Sequence, residues 1–250
     1  MTTLQEKRTA LVKGVLGEHR YQRLIRRYTR SRQRPRIGRV DFGDLAGTEP
    51  ICREFGNFRG RPLDRYYIES FMAANATLIT GRVLEVGERL YTEQFGRNVA
   101  KSDMCNYFDI PDATYVADLT DAPQIPDGTY DCVVITQTLQ LIYDVQAVTA
   151  TLHRILKPGG TVLCTIPGFS QLGDPRWAAQ WYWNFTQYSA QRLFDDEFGA
   201  DRVHVDVHGN VLAATAFLHG VSLEEMDPAD LDVVDPEYPV ILGVRATRAA

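Results

Sequence analysis

Apolar positions along this chain switch between two periods. Over residues 1–33 they recur at helical spacing: Leu11, Val15, Tyr21, Leu24, Ile25 and Tyr28 stand among many arginines, which predicts an amphipathic helical arm. Pro35 and Gly38 end that pattern. The glycine-rich stretch that follows, with Pro50 and Pro62, reads as an irregular connector. Residues 63–72 return to helical spacing, with Tyr67, Ile68, Phe71 and Met72 on the apolar side. From residue 81 short apolar runs alternate with helical stretches, and strands are predicted at 82–86, 98–101, 114–117, 131–136, 161–166, 202–207 and 239–246. The runs D-C-V-V-I-T (131–136) and T-V-L-C-T-I (161–166) are apolar or β-branched almost throughout, as strands covered on both faces require. Between them Asp144 can cap a helix carrying Val145, Val148, Leu152 and Leu156, and K-P-G-G at 157–160 stops it. This alternation predicts a doubly wound α/β sheet. Residues 210–237 read as an insertion, a short apolar helix and then an acidic loop. The expected organisation is an arm and connector over 1–62 and an α/β domain over 63–250.

Charge adds an asymmetry to this picture. Residues 1–40 hold 12 Lys/Arg against 2 Asp/Glu, a net +10, whereas 41–250 hold 15 against 30, a net −15. Arginine-rich segments neutralise phosphates, so the arm raises the alternative of an RNA-directed protein. The acidic remainder and the arm's apolar stripe speak instead for docking on a body or partner, including a homodimer formed through the arm. Nucleic acid is therefore not the expected partner. No apolar run reaches the roughly 18–20 residues of a membrane helix, and the first twenty residues lack the apolar centre of a signal peptide. Cys52, Cys105, Cys132 and Cys164 form no C-x-x-C pair. Reduced, buried thiols and a cytoplasmic location are expected.

In a sheet of this kind ligands bind at the carboxyl ends of the strands. The first strand ends E-V-G, giving Glu85 and Gly87, and the second ends K-S-D, giving Asp103. The third ends V-A-D-L, giving Asp118 and Leu119. A dinucleotide site asks for G-x-G-x-x-G after the first strand, but here Gly87 is followed by Glu88 and Arg89. Carboxylates at three successive strand ends suit another ligand. One can meet an ammonium, one both hydroxyls of a ribose, and one an adenine amino group. S-adenosylmethionine carries all three and no phosphate, so the turn needs close backbone approach, which one glycine permits, rather than a phosphate cradle.

The blocks V-L-E-V-G (83–87), A-D-L-T-D-A-P-Q-I-P-D-G-T-Y-D-C-V-V (117–134) and L-H-R-I-L-K-P-G-G-T-V-L (152–163) resemble class I S-adenosylmethionine-dependent methyltransferases. That resemblance implies a seven-stranded Rossmann-like sheet, mostly parallel with an antiparallel last strand. F-R-G-R-P-L-D-R-Y-Y-I-E (58–69), Y-T-E-Q-F-G (91–96) and T-Q-T-L-Q-L-I-Y-D (136–144) add a narrower likeness to a bacterial branch linked to sugar or glycoside modification. It implies O-methylation of a sugar, glycoside or other small-molecule hydroxyl. A divalent metal is compatible with that branch, but no tight carboxylate cluster here indicates one.

Several residues carry two readings. Glu85 either meets the cofactor or ties down loop amides, and Asp103 and Asp118 either bind it or cap turns. Arg65 and Arg89 can pair with the cofactor carboxylate or face water. Tyr67 faces the site or packs in the core. Gln137 and Gln140 follow the fourth strand, where they can reach the methyl donor or acceptor, or cap a helix. His208, after the sixth strand, and Asp174, after the fifth, are the candidate bases, with Gln140 as a third catalytic candidate. The run W-Y-W-N-F-T (181–186) lines an acceptor pocket or forms a lid. His153 and His219 read as helix-end residues favoured by the dipole. A third class keeps the fold without methylating, as a cyclase or scaffold.

Overall fold

The computed structural model describes residues 13–14, 17–173 and 178–250. They fall into two units, one up to Thr48 and one from Glu49 to Ala250. In the first, α1 (Glu18–Arg32) carries Glu18 in its first turn and Arg30 and Arg32 in its last, charges that complement the helix dipole. Leu11 and Val15, which the spacing assigned to the same arm, lie outside the described residues.

The second unit is built on one seven-stranded sheet with the order β3-β2-β1-β4-β5-β7-β6. Its strands are β1 (Gly81–Val86), β2 (Val99–Asn106), β3 (Tyr115–Val116), β4 (Tyr130–Thr136), β5 (Leu156–Pro167), β6 (Val203–His208) and β7 (Ile241–Thr247). The pairings among β1 to β5 are parallel, and β7 runs antiparallel to both β5 and β6. The expected sheet class and its single reversed strand are both present.

Period-two alternation assigns the two faces. Leu84, Val133, Ile135, Val162 and Cys164 join one buried cluster with Val148, Leu152 and Ile155 of α4 (Val145–Ile155) and Ala190, Phe194 and Phe198 of α5 (Gln187–Phe198). Val83, Cys132, Val134 and Leu163 join the other, with Ile68, Phe71 and Met72 of α2 (Asp64–Ala74) and Ala213, Ala216 and Phe217 of α6 (Val211–His219). Neighbouring residues on one strand thus serve opposite cores. At Gly243 an added Cβ would stand 2.3 Å from Phe71, so glycine lets α2 settle on β7. Asp144 caps α4 as expected, accepting from the Ala147 amide at 3.0 Å. All four cysteines are buried and unpaired.

Two boundaries differ from the sequence expectation. The connector does not run to residue 62; it joins the second unit from Glu49. Cys52 donates its amide to the His219 carbonyl at 3.0 Å, Arg59 Nε donates to Glu225 at 3.0 Å, and Pro62 bridges to Ser222. The acidic stretch read as a loop is thereby partly neutralised within its own unit. β2 runs to Asn106, five residues past its expected end at 101.

Candidate functional site

A crevice of about 540 Å³ opens at the carboxyl ends of β1 to β4, on both sides of the point where the strand order reverses. Its floor is the turn after β1. Gly87 has φ +97°, and a Cβ added there would meet nothing within 4 Å. The conformation demands glycine, and the space beside it is free for a ligand. Glu85 lies behind the turn, buried, and its two carboxylate oxygens accept the amides of Tyr91 and Thr92 at 2.9 and 2.7 Å. It thereby pins the N-terminus of α3 (Leu90–Phe95). Burial pushes its carboxyl above the usual range, against the hydrogen bonds of Thr92 and Tyr91. The reading in which Glu85 ties down loop amides is the one the structure shows.

Asn106 at the end of β2 holds one wall to the floor. Its amide donates to the Gly87 carbonyl at 3.0 Å, and its oxygen accepts the Phe108 amide at 2.9 Å. Tyr107 and Phe108 follow with their rings edge to face at 5.2 Å. After β3, Ala117, Asp118, Leu119 and Thr120 form the next wall. Asp118 is exposed, and one of its oxygens accepts from the Thr120 amide and hydroxyl at 2.9 and 2.8 Å. The turn after β4 closes the far side with Thr138, Leu141, Ile142 and Tyr143, and Gln180 and Tyr182 complete the rim. The Gln140 carbonyl accepts the Tyr182 amide at 2.8 Å, so the β4 turn anchors the aromatic segment. Trp183 stacks on Tyr143 at 5.7 Å and donates Nε1 to the Ile142 and Tyr143 carbonyls. Trp181 packs instead on Phe55 at 6.3 Å.

Of the residues singled out from sequence, Gly87, Asp118, Leu119 and, from the run 181–186, Tyr182 line this crevice. Asp103 does not, which corrects its assignment to a ribose. It is mid-strand and buried, paired with Arg82 at 2.8 Å and Lys101 at 3.2 Å, and it accepts from the Tyr130 hydroxyl at 3.1 Å. Burial alone would raise its carboxyl; Arg82, Lys101 and Tyr130 outweigh this and hold it below the ordinary range. His208 is likewise placed away from the crevice, at the end of the far edge strand, and is not positioned to act as its base. Its ring lies 5.9 Å from that of Tyr67 and 6.4 Å from that of Phe71, with Nε2 enclosed and unpartnered. Tyr67 is buried there and donates to the Leu231 carbonyl at 3.2 Å, so its core reading holds. Arg65 donates to the Tyr91 hydroxyl at 2.7 Å, beside α3 rather than in the crevice. Arg89 donates to the Asp112 carbonyl at 2.7 Å. Gln137 takes φ +46° and donates its amide to the Thr165 carbonyl at 2.8 Å, while Gln140 is buried and donates to the Gln137 carbonyl at 2.9 Å. Both build the turn that carries Thr138 and Leu141 rather than lining the crevice themselves. Asp174 lies outside the described residues.

The sequence reading missed Asn106, Tyr107, Phe108 and Tyr143. Met104 and Cys105, apolar and directly after Asp103, were the signal that β2 continues. Burial pushes the Cys105 thiol up to about 11, so this lining cysteine stays protonated. Among the described residues no group of three or more His, Cys, Asp or Glu side chains could hold a metal ion.

The strand order, the reversed β7 and a crevice at the switch point together give the seven-stranded, Rossmann-like sheet expected from the sequence. Residues 87–164 match the family model described as a methyltransferase domain, a stretch that runs from the glycine turn through β2, β3 and β4 into β5. Two solved structures agree on the fold. One is a chain from the complex of the Haloferax volcanii Trm112 methyltransferase activator, 16% identical, covering 75% of this chain and 92% of that one, with a TM-score of 0.50. Another is the [4+2]-cyclase SpnF, 15% identical, covering 83% and 90%, with a TM-score of 0.50. The N-methyltransferase NodS from Bradyrhizobium japonicum, in complex with S-adenosyl-L-homocysteine, is 10% identical over 82% and 95%, with a TM-score of 0.48. Comparison with curated proteins by sequence gives no match.

Proposed function

We propose that the chain is an S-adenosylmethionine-dependent methyltransferase acting on a hydroxyl of a sugar, glycoside or other small molecule. The observation that carries this reading is the crevice itself, which the open Gly87 turn after β1 and Asp118 and Leu119 after β3 line together, with the end of β2 between them. Its volume lies within the range of small-molecule sites. The residues present fit the cofactor on most counts. Leu119 and Ile142 offer apolar walls to a flat base, Asp118 keeps a carboxylate oxygen for an exocyclic amine, and the glycine turn leaves room for the amino-acid end. The ribose partner expected at the end of β2 is an asparagine instead of an acid, and both ends of that amide already serve the protein.

When bound, the cofactor supplies a methyl group on a positively charged sulfur. The chain's own task is then alignment and exclusion of water, which can contribute several kcal/mol, up to roughly 7–11 in model reactions. The β4 turn, fixed by Gln137 and Gln140, sets one side of that alignment. The rings of Tyr143 and Tyr182, edge to face at 5.4 Å on the rim, suit an acceptor with a flat or sugar face. Asp174 is our proposal for the group that takes the hydroxyl proton, on its position after β5 in the sequence. A second reading, ligand binding without methylation, is favoured by one observation: no imidazole or lysine lines the crevice among the described residues.

Calorimetry with S-adenosylhomocysteine tests the cofactor. Mass spectrometry of a panel of sugars, glycosides and phenols incubated with S-adenosylmethionine tests the transfer. Binding together with a methyl gain on one of them is the expected result. No heat from a folded protein removes the whole reading; heat without any methylated product favours the second one.

A further inference from the structure

α1 carries two stripes. Tyr21, Leu24, Ile25 and Tyr28 follow the spacing i, i+3, i+4, i+7, and Arg23, Arg26, Arg27 and Arg30 follow the same spacing two residues later. Two positions turn a helix by about 200°, so the apolar and the cationic stripes lie on opposite faces. None of the 15 residues is buried. The pattern continues past the helix: Arg34, Arg36 and Arg39 alternate with Ile37, Val40 and Phe42, whose side chains are exposed. Residues 18–39 hold nine arginines against one glutamate, a net +8.

We propose that this segment is a surface anchor that lies on a bilayer of anionic lipid. Each face has its reason. Arginines meet the headgroup phosphates and carboxylates, and the apolar stripe enters the boundary with the acyl chains. A second copy of the chain is a poorer occupant, since pairing the stripes would bring two segments of +8 together. RNA answers the arginines but leaves Leu24 and Ile25 in water. No helix among the described residues is long and apolar enough to cross a membrane, so the segment lies on the surface and does not span.

Co-sedimentation of the full chain with vesicles tests this. The protein should pellet with phosphatidylcholine vesicles containing phosphatidylserine and stay in solution with phosphatidylcholine alone. Raising the salt from about 0.05 to 0.5 M should release it, as screening requires. Arg26→Gln with Arg27→Gln should lower the partition coefficient about 25-fold, roughly fivefold per charge. Leu24→Gln with Ile25→Gln should also lower it about tenfold or more. Glutamine keeps helix propensity, so a fall reports lost contact rather than a melted helix. Equal pelleting with both vesicle types, or with neither, overturns the proposal. It is also overturned if vesicles leave the protein in solution while a short RNA is retarded, or while centrifugation shows a dimer that Leu24→Gln with Ile25→Gln dissolves.

Discussion

The middle and the carboxyl end of the β1–β2 pair treat their polar groups in opposite ways. In mid-strand Asp103 is saturated: Arg82, Lys101 and Tyr130 all address its carboxylate, and nearby Asp131 takes Lys157 and the Arg82 amide. At the carboxyl end, a few residues on, Gly87 stands beside open space, and Asp118 on the adjoining wall gives one oxygen to Thr120 and keeps the other. Two aspartates that look alike in sequence therefore do different work. One is buried, neutralised by Arg82 and Lys101 reaching it from nearer the surface, and holds the sheet; the other is left with capacity to spare at the mouth of a crevice. A carboxylate whose partners are all supplied by the protein has nothing to offer a ligand.

Mutation can break that contrast, and the largest effect should fall on the saturated side. Asp103→Ala should destabilise the fold by about 3 kcal/mol, because the buried Tyr130 hydroxyl and the half-buried Arg82 both lose a charged hydrogen-bond partner. The folded fraction should still bind S-adenosylhomocysteine within about twofold of normal. Urea titration and calorimetry check the two halves, and a selective loss of affinity would return Asp103 to the site. The same residue sets a pH dependence. Its carboxyl is held below its unfolded value, so its contribution is complete above about pH 4 and fades as pH falls toward the folded value. Urea midpoints measured between pH 5 and 2.5 should drop less steeply in Asp103→Ala.

Gly87→Val comes next. A β-branched side chain at positive φ is strained by about 1–3 kcal/mol, and it would project into the crevice. S-adenosylhomocysteine affinity should fall about 100-fold, or ~2.7 kcal/mol; calorimetry giving an unchanged Kd would mean that no ligand approaches this turn. Asp118→Ala should weaken the same binding about tenfold, or ~1.4 kcal/mol, with a stability loss of about 1 kcal/mol from the Thr120 hydrogen bonds. At the rim, Tyr143→Ala should raise the acceptor KM about fivefold while leaving the cofactor Kd within twofold. The smallest effect is expected at His208. Its enclosed Nε2 has no partner, so His208→Phe should leave turnover within about twofold and the melting temperature unchanged or raised. A large fall in turnover would restore it as the base.

Much of the architecture is legible in local sequence. The apolar runs of β4 and β5, the cap at Asp144 and the turn at Gly87 are local signals, and each states its own role through residue type and spacing. The arm was legible too, because helical spacing among arginines is read within a single turn. The floor of the crevice could be named from sequence for the same reason: a glycine after a buried strand at the switch point has few other uses.

What the sequence by itself determined is therefore the order and type of the elements, since periodicity and capping are properties of neighbours along the chain. Where β2 ends was decided by pairing: after a one-residue shift between Gly81 and Arg82, β1 stays in register from Arg82 opposite Lys101 to Val86 opposite Cys105, and Asn106 pairs with Val116 of β3. The polar stretch Lys101-Ser102-Asp103 looks like a strand end only until Arg82, 21 residues earlier, is brought alongside to neutralise Asp103. His208 and Tyr67 were likewise sorted by the sheet order, which sends β6 to the far edge and away from the crevice. Burial, ion pairing and strand order depend on residues distant in sequence, and only the tertiary structure brings those together.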